Sequence, residues 1–353
     1  MHILITGGAG FVGSNLAVQF KTKYPQYTIT CLDNLKRRGS ELNLPRFREM
    51  GIQFIHADIR NPEDLATIEH FDCLIDASAE PSVLAGITSP VAQVVNNNLM
   101  GTVNCLELAK KHQAAFIFLS TSRVYPIQTL EQLNFTETET RFEWSDDQSI
   151  VGVSSKGVTE DFPLESSRSF YGATKLASEL LIQEYHALAN LKTIINRCGV
   201  ITGPWQMGKV DQGVVVLWVA RHFWKKSLKY IGYGGLGKQV RDMLHIQDLF
   251  ELIDLQVHQP DTWNGKMFNV GGGRPISFSL KELTQLCEEV TGNQIEIDQE
   301  PITRPADLRI YLTDHSKITN FASWHPKITP LEIISDVFEW LQANEDQLKP
   351  ILG

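Results

Sequence analysis

The sequence predicts an α/β protein, a doubly wound parallel sheet with a smaller α/β substrate-binding lobe. Three observations lead there. Short apolar runs alternate with helical stretches through the first half, a glycine-rich turn follows the first run, and aspartates end the second and third.

The first run, HILIT (His2–Thr6), reads as a buried strand, and GGAGFVGSNLAVQF then opens a helix. Gly7, Gly10 and Gly13 stand in a GxxGxxG spacing. A strand turning tightly into a helix needs glycine at the turn, and N–H groups at the helix start can then meet a pyrophosphate. The second run, YTITCLD, ends in Asp33, twenty residues beyond Gly13, where a carboxylate would hydrogen-bond the adenosine ribose hydroxyls. That charge repels a 2′-phosphate, so NAD is favoured over NADP. Lys36, Arg37 and Arg38 keep NADP open as the minority reading.

Three further runs continue the pattern. IQFIHAD is expected to end at Asp58, FDCLIDASA at Ala79 and AAFIFLSTS at Ser122, with helices after Asn61 and around Val91 to His112. Ligands of such sheets sit at the carboxyl ends of the strands. Asp58 is therefore expected near an adenine, and Ala77 to Ala79 near the pyrophosphate and ribose.

SFYGATKLASELLIQEY (Ser169–Tyr185) reads as an amphipathic helix, with Leu176, Leu180, Leu181 and Tyr185 forming one apolar stripe against a core. Tyr171 and Lys175 are four apart in its first turn and project from one face. A phenol with the usual pKa of about 10 is a poor base at neutral pH, and a neighbouring cation favours its phenolate. The pair could then accept a proton from a substrate hydroxyl. Ser120, Thr121 and Ser122, at the end of the fifth run, could hydrogen-bond the same oxygen.

Composition narrows the classes. At 353 residues the chain is long enough for two lobes, and 42% hydrophobic content predicts a folded protein. Lys plus Arg is 32 against 41 for Asp plus Glu, a net −9 that argues against general nucleic-acid binding. Cys31, Cys73, Cys105, Cys198 and Cys287 are scattered and odd in number, which predicts reduced, buried thiols. No apolar run is long enough to cross a membrane, and the opening MHILITGGAG is expected to leave no room for a signal peptide. A soluble, cytoplasmic protein is the expectation. No His/Cys/Asp cluster has metal-ligand spacing, so no metal is predicted.

TGGAGFVG, Asp33, Asp58, STSRVY and YGATK together resemble the extended short-chain dehydrogenase/reductase family, in particular its nucleotide-sugar epimerases and dehydratases. The resemblance covers almost the whole chain and implies a Rossmann-like fold with NAD as cofactor. It makes Tyr171 the general base, Lys175 its activator and a ribose ligand, and Thr121 the residue orienting the reacting hydroxyl. Gly7, Gly10, Phe11, Val12, Gly13, Asp33, Asn34, Asp58, Ile59, Ala77, Ala79, Asn98 and Val200, with Tyr171 and Lys175, are the implied cofactor contacts. Arg197, Cys198 and Gly199 match positions that line or support the cofactor cleft.

NFTETETRFEW, GKVDQGVV and GYGGLGKQVRDMLHIQDL resemble segments of the CDP-tyvelose (CDP-paratose) 2-epimerase subgroup, as does the DQG at Asp211 to Gly213. A nucleotide-diphosphate sugar, with a CDP-sugar favoured, is the implied substrate. Ser122, Arg123, Gln239, Arg241 and Arg304 are its implied contacts, while Arg309 is open between a phosphate contact and a surface ion-pair partner. Ser122, Arg123 and Pro126 stand where Asn, Lys and Gly are usual, and DASAEPS replaces an HLAG-type segment. Alternative readings are a 4-epimerase, a 4,6-dehydratase, a reductase, or a non-catalytic NAD sensor. A dehydratase commonly has Asp-Glu after the strand-five hydroxyls, where this chain has Ser122 and Arg123.

The implied domain plan is 1–200 for the cofactor, with a return segment at about 236–270, and 201–235 plus 271–353 for the nucleotide sugar. In the second lobe a helix is predicted with Val215, Val219 and His222 on its faces. Trp205, Trp218 and Trp224 could stack a base or sugar, or simply pack the lobe. His245 reads as structural. Tyr125 to Tyr171 reads as a long polar loop near the substrate mouth. The helical stretches Asn98–His112 and Tyr171–Leu188 are expected to form a four-helix homodimer interface by the same resemblance.

Overall fold

The computed structural model describes residues 1–209 and 212–353. The chain divides into two compact units, Met1–Thr121 with Phe170–Arg197 and Phe250–Met267, and Ser122–Ser169 with Cys198–Leu249 and Phe268–Gly353.

Strands β1 (His2–Thr6), β2 (Thr28–Asp33), β3 (Gln53–His56), β4 (Cys73–Asp76), β5 (Ala115–Thr121), β6 (Thr193–Cys198) and β7 (Lys266–Val270) make one sheet in the order β7-β6-β5-β4-β1-β2-β3. β1 pairs in parallel with both β2 and β4, so the strand order reverses beside β1, at the switch point where such sheets bind ligands. Its central strands are buried nearly end to end, as a sheet covered on both faces requires: Ile3, Leu4 and Ile5 are fully buried, as are Phe116, Ile117 and Phe118, while the edge strand β3 begins and ends in exposed residues.

Three strands end earlier than predicted. β3 stops at His56, β4 at Asp76 and β5 at Thr121. Two aspartates bend the backbone by capturing the N–H two residues on, Asp58 from Arg60 at 3.0 Å and Asp76 from Ser78 at 3.2 Å. Ser122–Val124 forms a 3-10 turn. The helical stretch from Val91 to His112 is present, but Val95–Met100 within it is a π-helical turn that carries Asn98.

The predicted apolar stripe of the helix Phe170–Ala189 is only half on the core: Leu176 is half-buried and Tyr185 packs against the core cluster, but Leu180 and Leu181 face out. Leu180 is 57% exposed and Leu181 37%, whereas the buried face carries Tyr171, Gly172, Thr174, Lys175, Ser178, Glu179 and Ile182. Polar side chains occupy that face because partners on other elements reach them there, Arg197 and Ser120 for Glu179 and Asn98 for Thr174.

In the second unit the strand Val240–His245 pairs with Val200–Thr202 and Ile310–Tyr311 in parallel and with Ser277–Ser279 antiparallel. Helices Val214–Phe223, Leu280–Thr291 and Pro330–Ala343 pack together, the last two each started by a capping box. The segment read as a long loop contains a helix, Ile127–Glu131, and two hairpins, Phe135–Glu137 with Phe142–Trp144 and Val153–Ser154 with Gly157–Val158. Phe142, Trp144, Val158 and Phe162 are buried and anchor it.

The three tryptophans pack the unit. Trp218 stacks on Tyr230 and donates to Thr284, Trp224 donates to Glu345, and Trp205 meets Trp340. All five cysteines are buried and unbridged. No helix among the described residues is long and apolar enough to cross a membrane.

Candidate active site

In the first unit the glycine turn forms a cradle with no space for side chains. A Cβ on Gly13 would lie 2.3 Å from the Gly7 carbonyl oxygen, and one on Gly7, at φ +62°, would lie 2.7 Å from that of Ala77. The helix Phe11–Lys23 starts at Gly10 with no side-chain cap and no acidic residue in its first turn. Its positive end therefore suits an anion such as a pyrophosphate. Phe11 and Val12 are half-buried in that turn, and Ala77 and Ala79 are half-buried in the segment facing it.

At the ends of β2 and β3, Asp33 accepts the N–H groups of Ala9 at 3.1 Å and Leu35 at 2.7 Å. Burial pushes its pKa up against those bonds. Asn34 donates to Asp58 at 2.9 Å, and Arg60 grips Asp58 with Nε at 2.9 Å and a terminal nitrogen at 2.6 Å. The Arg60 contact holds the Asp58 carboxyl far below the usual carboxylate range. Ile59 is buried against Gly101, where an added Cβ would clash with it at 2.4 Å. These residues fit the adenosine half of a dinucleotide.

Tyr171 and Lys175 lie on the buried face of their helix at 9% and 1% exposure, and Thr121 closes β5 at 8%. The Lys175 ammonium sits 3.7 Å above the centroid of the Phe118 ring in β5, which holds a desolvated charge by cation–π attraction. Asn98 ties this helix to the end of β4: it donates to Thr174 at 3.3 Å, and exchanges bonds with the Glu80 backbone at 2.7 and 3.1 Å. Thr121, Tyr171 and Lys175 thus belong to one unit, where the helix touches β5 through Lys175 on Phe118 and Glu179 on Ser120, whereas Ser122 belongs to the second unit. Val200 likewise lies in the second unit, opening the strand Val200–Thr202.

Within the second unit three of the five predicted substrate residues meet at one strap, residues 304–308: Arg123 and Arg241 bind it and Arg304 belongs to it. Arg123 donates to the Ala306 carbonyl at 3.1 Å, and Arg241 binds Asp307 at 2.9 Å and the Leu308 carbonyl at 2.6 Å. Arg304 belongs to the strap itself and its carbonyl accepts the Asp307 N–H at 3.3 Å. Ser122 is buried, and Gln239 donates to the Ile231 carbonyl at 2.8 Å. Arg309 pairs with Glu131 at 3.2 Å and lies 4.1 Å from the Phe135 ring centroid, which makes it an ion-pair and packing residue. His245 is buried beside Gly203, and burial lowers its pKa to about 4 even with Asp336 3.5 Å away. Asp211 of the DQG segment lies outside the described residues. No group of acidic, histidine or cysteine side chains among the described residues could hold a metal ion.

Four residues at these sites went unassigned by the sequence reading. Arg60 had a weak signal in its DxR spacing with Asp58, and Asp307 in its RxxD spacing with Arg304. Asp76 stood in the unusual DASAEPS segment. Glu179, four residues beyond Lys175, is fully buried and paired with Arg197 at 2.7 Å, a contact between residues on separate elements that no local pattern encodes.

The geometry agrees with what the chain is similar to. It is 31% identical to a CDP-paratose 2-epimerase from Salmonella typhi over 97% of this chain and all of that one. It is 27% identical to a dTDP-glucose 4,6-dehydratase from Salmonella typhimurium over 98% and 93% of the two chains. Among solved structures, a dTDP-glucose 4,6-dehydratase from Bacillus anthracis in complex with NAD superposes with a TM-score of 0.76 at 25% identity, covering 99% of each chain. The TM-score is 0.77 for a UDP-glucuronic acid 4-epimerase from Bacillus cereus, at 24% identity over 97% and 99%. Residues 3–271 match the NAD dependent epimerase/dehydratase family, and with the side-chain-free cradle at the switch point and the Tyr171–Lys175 turn beside β5, the chain belongs to that family of NAD-dependent enzymes.

Proposed function

We propose that this enzyme inverts carbon 2 of a CDP-linked sugar, interconverting CDP-paratose and CDP-tyvelose. The observation that carries the reading is the end-to-end match to a CDP-paratose 2-epimerase. Ser122 and Arg123, where a dehydratase commonly has Asp-Glu, support epimerisation over dehydration.

The cradle of Gly7, Gly10 and Gly13 with Asp33, Asn34 and Asp58 would hold NAD in the first unit. Bound NAD supplies reversible acceptance of the hydride on the carbon bearing the reacting hydroxyl, and inversion requires its return to the opposite face of the keto-sugar. Tyr171 takes the hydroxyl proton at its phenol oxygen and later gives it back. Lys175, shielded from water, supplies the positive charge that favours the phenolate. Thr121 orients the reacting oxygen by a hydrogen bond. Arg123, Arg241 and Arg304 supply planar donors for the diphosphate, which a chain of net charge −9 must meet locally, and Gln239 contacts the same substrate. The cofactor role is assigned to the first unit and the nucleotide-sugar role to the second.

The test is proton NMR of each CDP-sugar incubated separately with the purified protein, without added NAD. Interconversion at carbon 2 would establish the reaction and a retained cofactor. No conversion, even after NAD is supplied, rejects this substrate pair and moves the search to other nucleotide sugars.

We also propose a cytoplasmic homodimer. The exposed Leu180 and Leu188, at 57% and 81%, support a helix-to-helix interface, and five unbridged cysteines suit a reducing compartment. Sedimentation showing only monomer at micromolar protein would remove the dimer.

A further inference from the structure

Asp76 closes β4 opposite Thr6, and its side chain is fully buried. The preceding pairs of these two strands, Ile3 with Cys73, Leu4 with Leu74 and Ile5 with Ile75, are apolar. Only the last pair is polar, at the point where the glycine turn begins. Burying a carboxyl group there is costly unless hydrogen bonds offset it, and a fold needing only strand pairing has no use for the expense.

Its oxygens collect donors from three segments. Oδ1 accepts the Thr6 hydroxyl at 2.8 Å, the Ser78 hydroxyl at 2.5 Å and the Ser78 N–H at 3.2 Å, while Oδ2 faces the Thr102 hydroxyl at 3.1 Å. Thr6 immediately precedes Gly7, and Ser78 lies between Ala77 and Ala79. Those are the two walls of the cradle, already so close that a Cβ on Gly7 would meet the Ala77 carbonyl and the Ser78 Cα within 2.8 Å. From Thr102 the bonds run on to the Asn98 carbonyl at 2.8 Å, from the Asn98 side chain to Thr174 at 3.3 Å, and from Thr174 to the Tyr171 carbonyl at 2.8 Å.

We propose that Asp76 is a positioning residue for the cofactor: it fixes the two walls of the dinucleotide cradle at their set spacing and ties them to the helix turn that carries Tyr171. The role concerns NAD and holds whichever sugar is the substrate. Alanine at this position removes both acceptor oxygens and leaves the Thr6, Ser78 and Thr102 donors facing no carboxylate, so the walls lose their common anchor.

The experiment is equilibrium dialysis of the 353-residue protein against radiolabelled NAD, for the wild type and for Asp76→Ala, at a temperature where far-UV circular dichroism shows both folded. Thermal unfolding is measured in parallel. Asp76→Ala is expected to raise the NAD dissociation constant about tenfold, and Ser78→Ala, which removes one donor from one wall, about threefold. A lowered unfolding temperature with unchanged NAD affinity in Asp76→Ala would show a purely structural role and overturn the proposal. If Asp76→Ala does not fold, Ser78→Ala decides: wild-type affinity there overturns it.

Discussion

Replacing Glu179 by glutamine is predicted to destabilise the first unit by about 3–5 kcal/mol, the range for removing one partner of a buried ion pair. Glu179 is fully buried and Arg197 is 2% exposed. The guanidinium places Nε 3.2 and 3.1 Å from the two carboxylate oxygens and a terminal nitrogen 2.7 Å from one of them, while Ser120 donates to the other at 2.5 Å. Solvent therefore cannot compensate the Arg197 charge once the carboxylate is gone. In the double variant Glu179→Gln/Arg197→Met, most of the loss should return, because an apolar chain of similar length needs no counter-charge. Urea unfolding followed by circular dichroism on the wild type, both single variants and the double variant gives the coupling. Because Ser120 precedes Thr121, Glu179→Gln should also slow turnover. A single-variant cost below about 1 kcal/mol would refute the argument, since that is the range of a solvent-exposed pair.

Three further outcomes are expected. Tyr171→Phe should abolish turnover while NAD still binds, and Lys175→Ala should weaken both; near-normal activity of Tyr171→Phe in the NMR assay would contradict the base assignment. Gly13→Ala should abolish measurable NAD binding in dialysis, because its Cβ would stand 2.3 Å from the Gly7 carbonyl oxygen, a backbone atom that cannot swing aside. Finally, His245 is held neutral by burial, with its pKa lowered to about 4 from an ordinary value near 6.5. The unfolded chain therefore binds a proton that the folded chain does not between those values. Stability from this group is fully present above about pH 6.5 and falls as pH drops toward 4, by up to about 3 kcal/mol at 1.36 kcal/mol per unit. Thermal melts across that window should be flatter for His245→Gln than for the wild type, and identical slopes would count against it.

The sequence determined the order of the first unit's elements, because buried parallel strands write themselves as continuous apolar runs and a tight strand-to-helix turn demands glycine. It also placed Tyr171 and Lys175 on one face of a helix, since i,i+4 spacing is a local property. Strand ends were legible only approximately: the turns after Asp58 and Asp76 depend on side chains capturing particular N–H groups. Which face of the helix Phe170–Ala189 is buried was decided by tertiary structure. Its leucines suggested the core, yet Glu179 finds Arg197 and Ser120 there, and Lys175 finds Phe118. Partners separated by 18 or 59 residues can satisfy a buried charge that no periodicity announces. The same holds for Asp76, which was visible as an odd letter in the sequence and acquired meaning only when the fold brought Thr6, Ser78 and Thr102 to its oxygens.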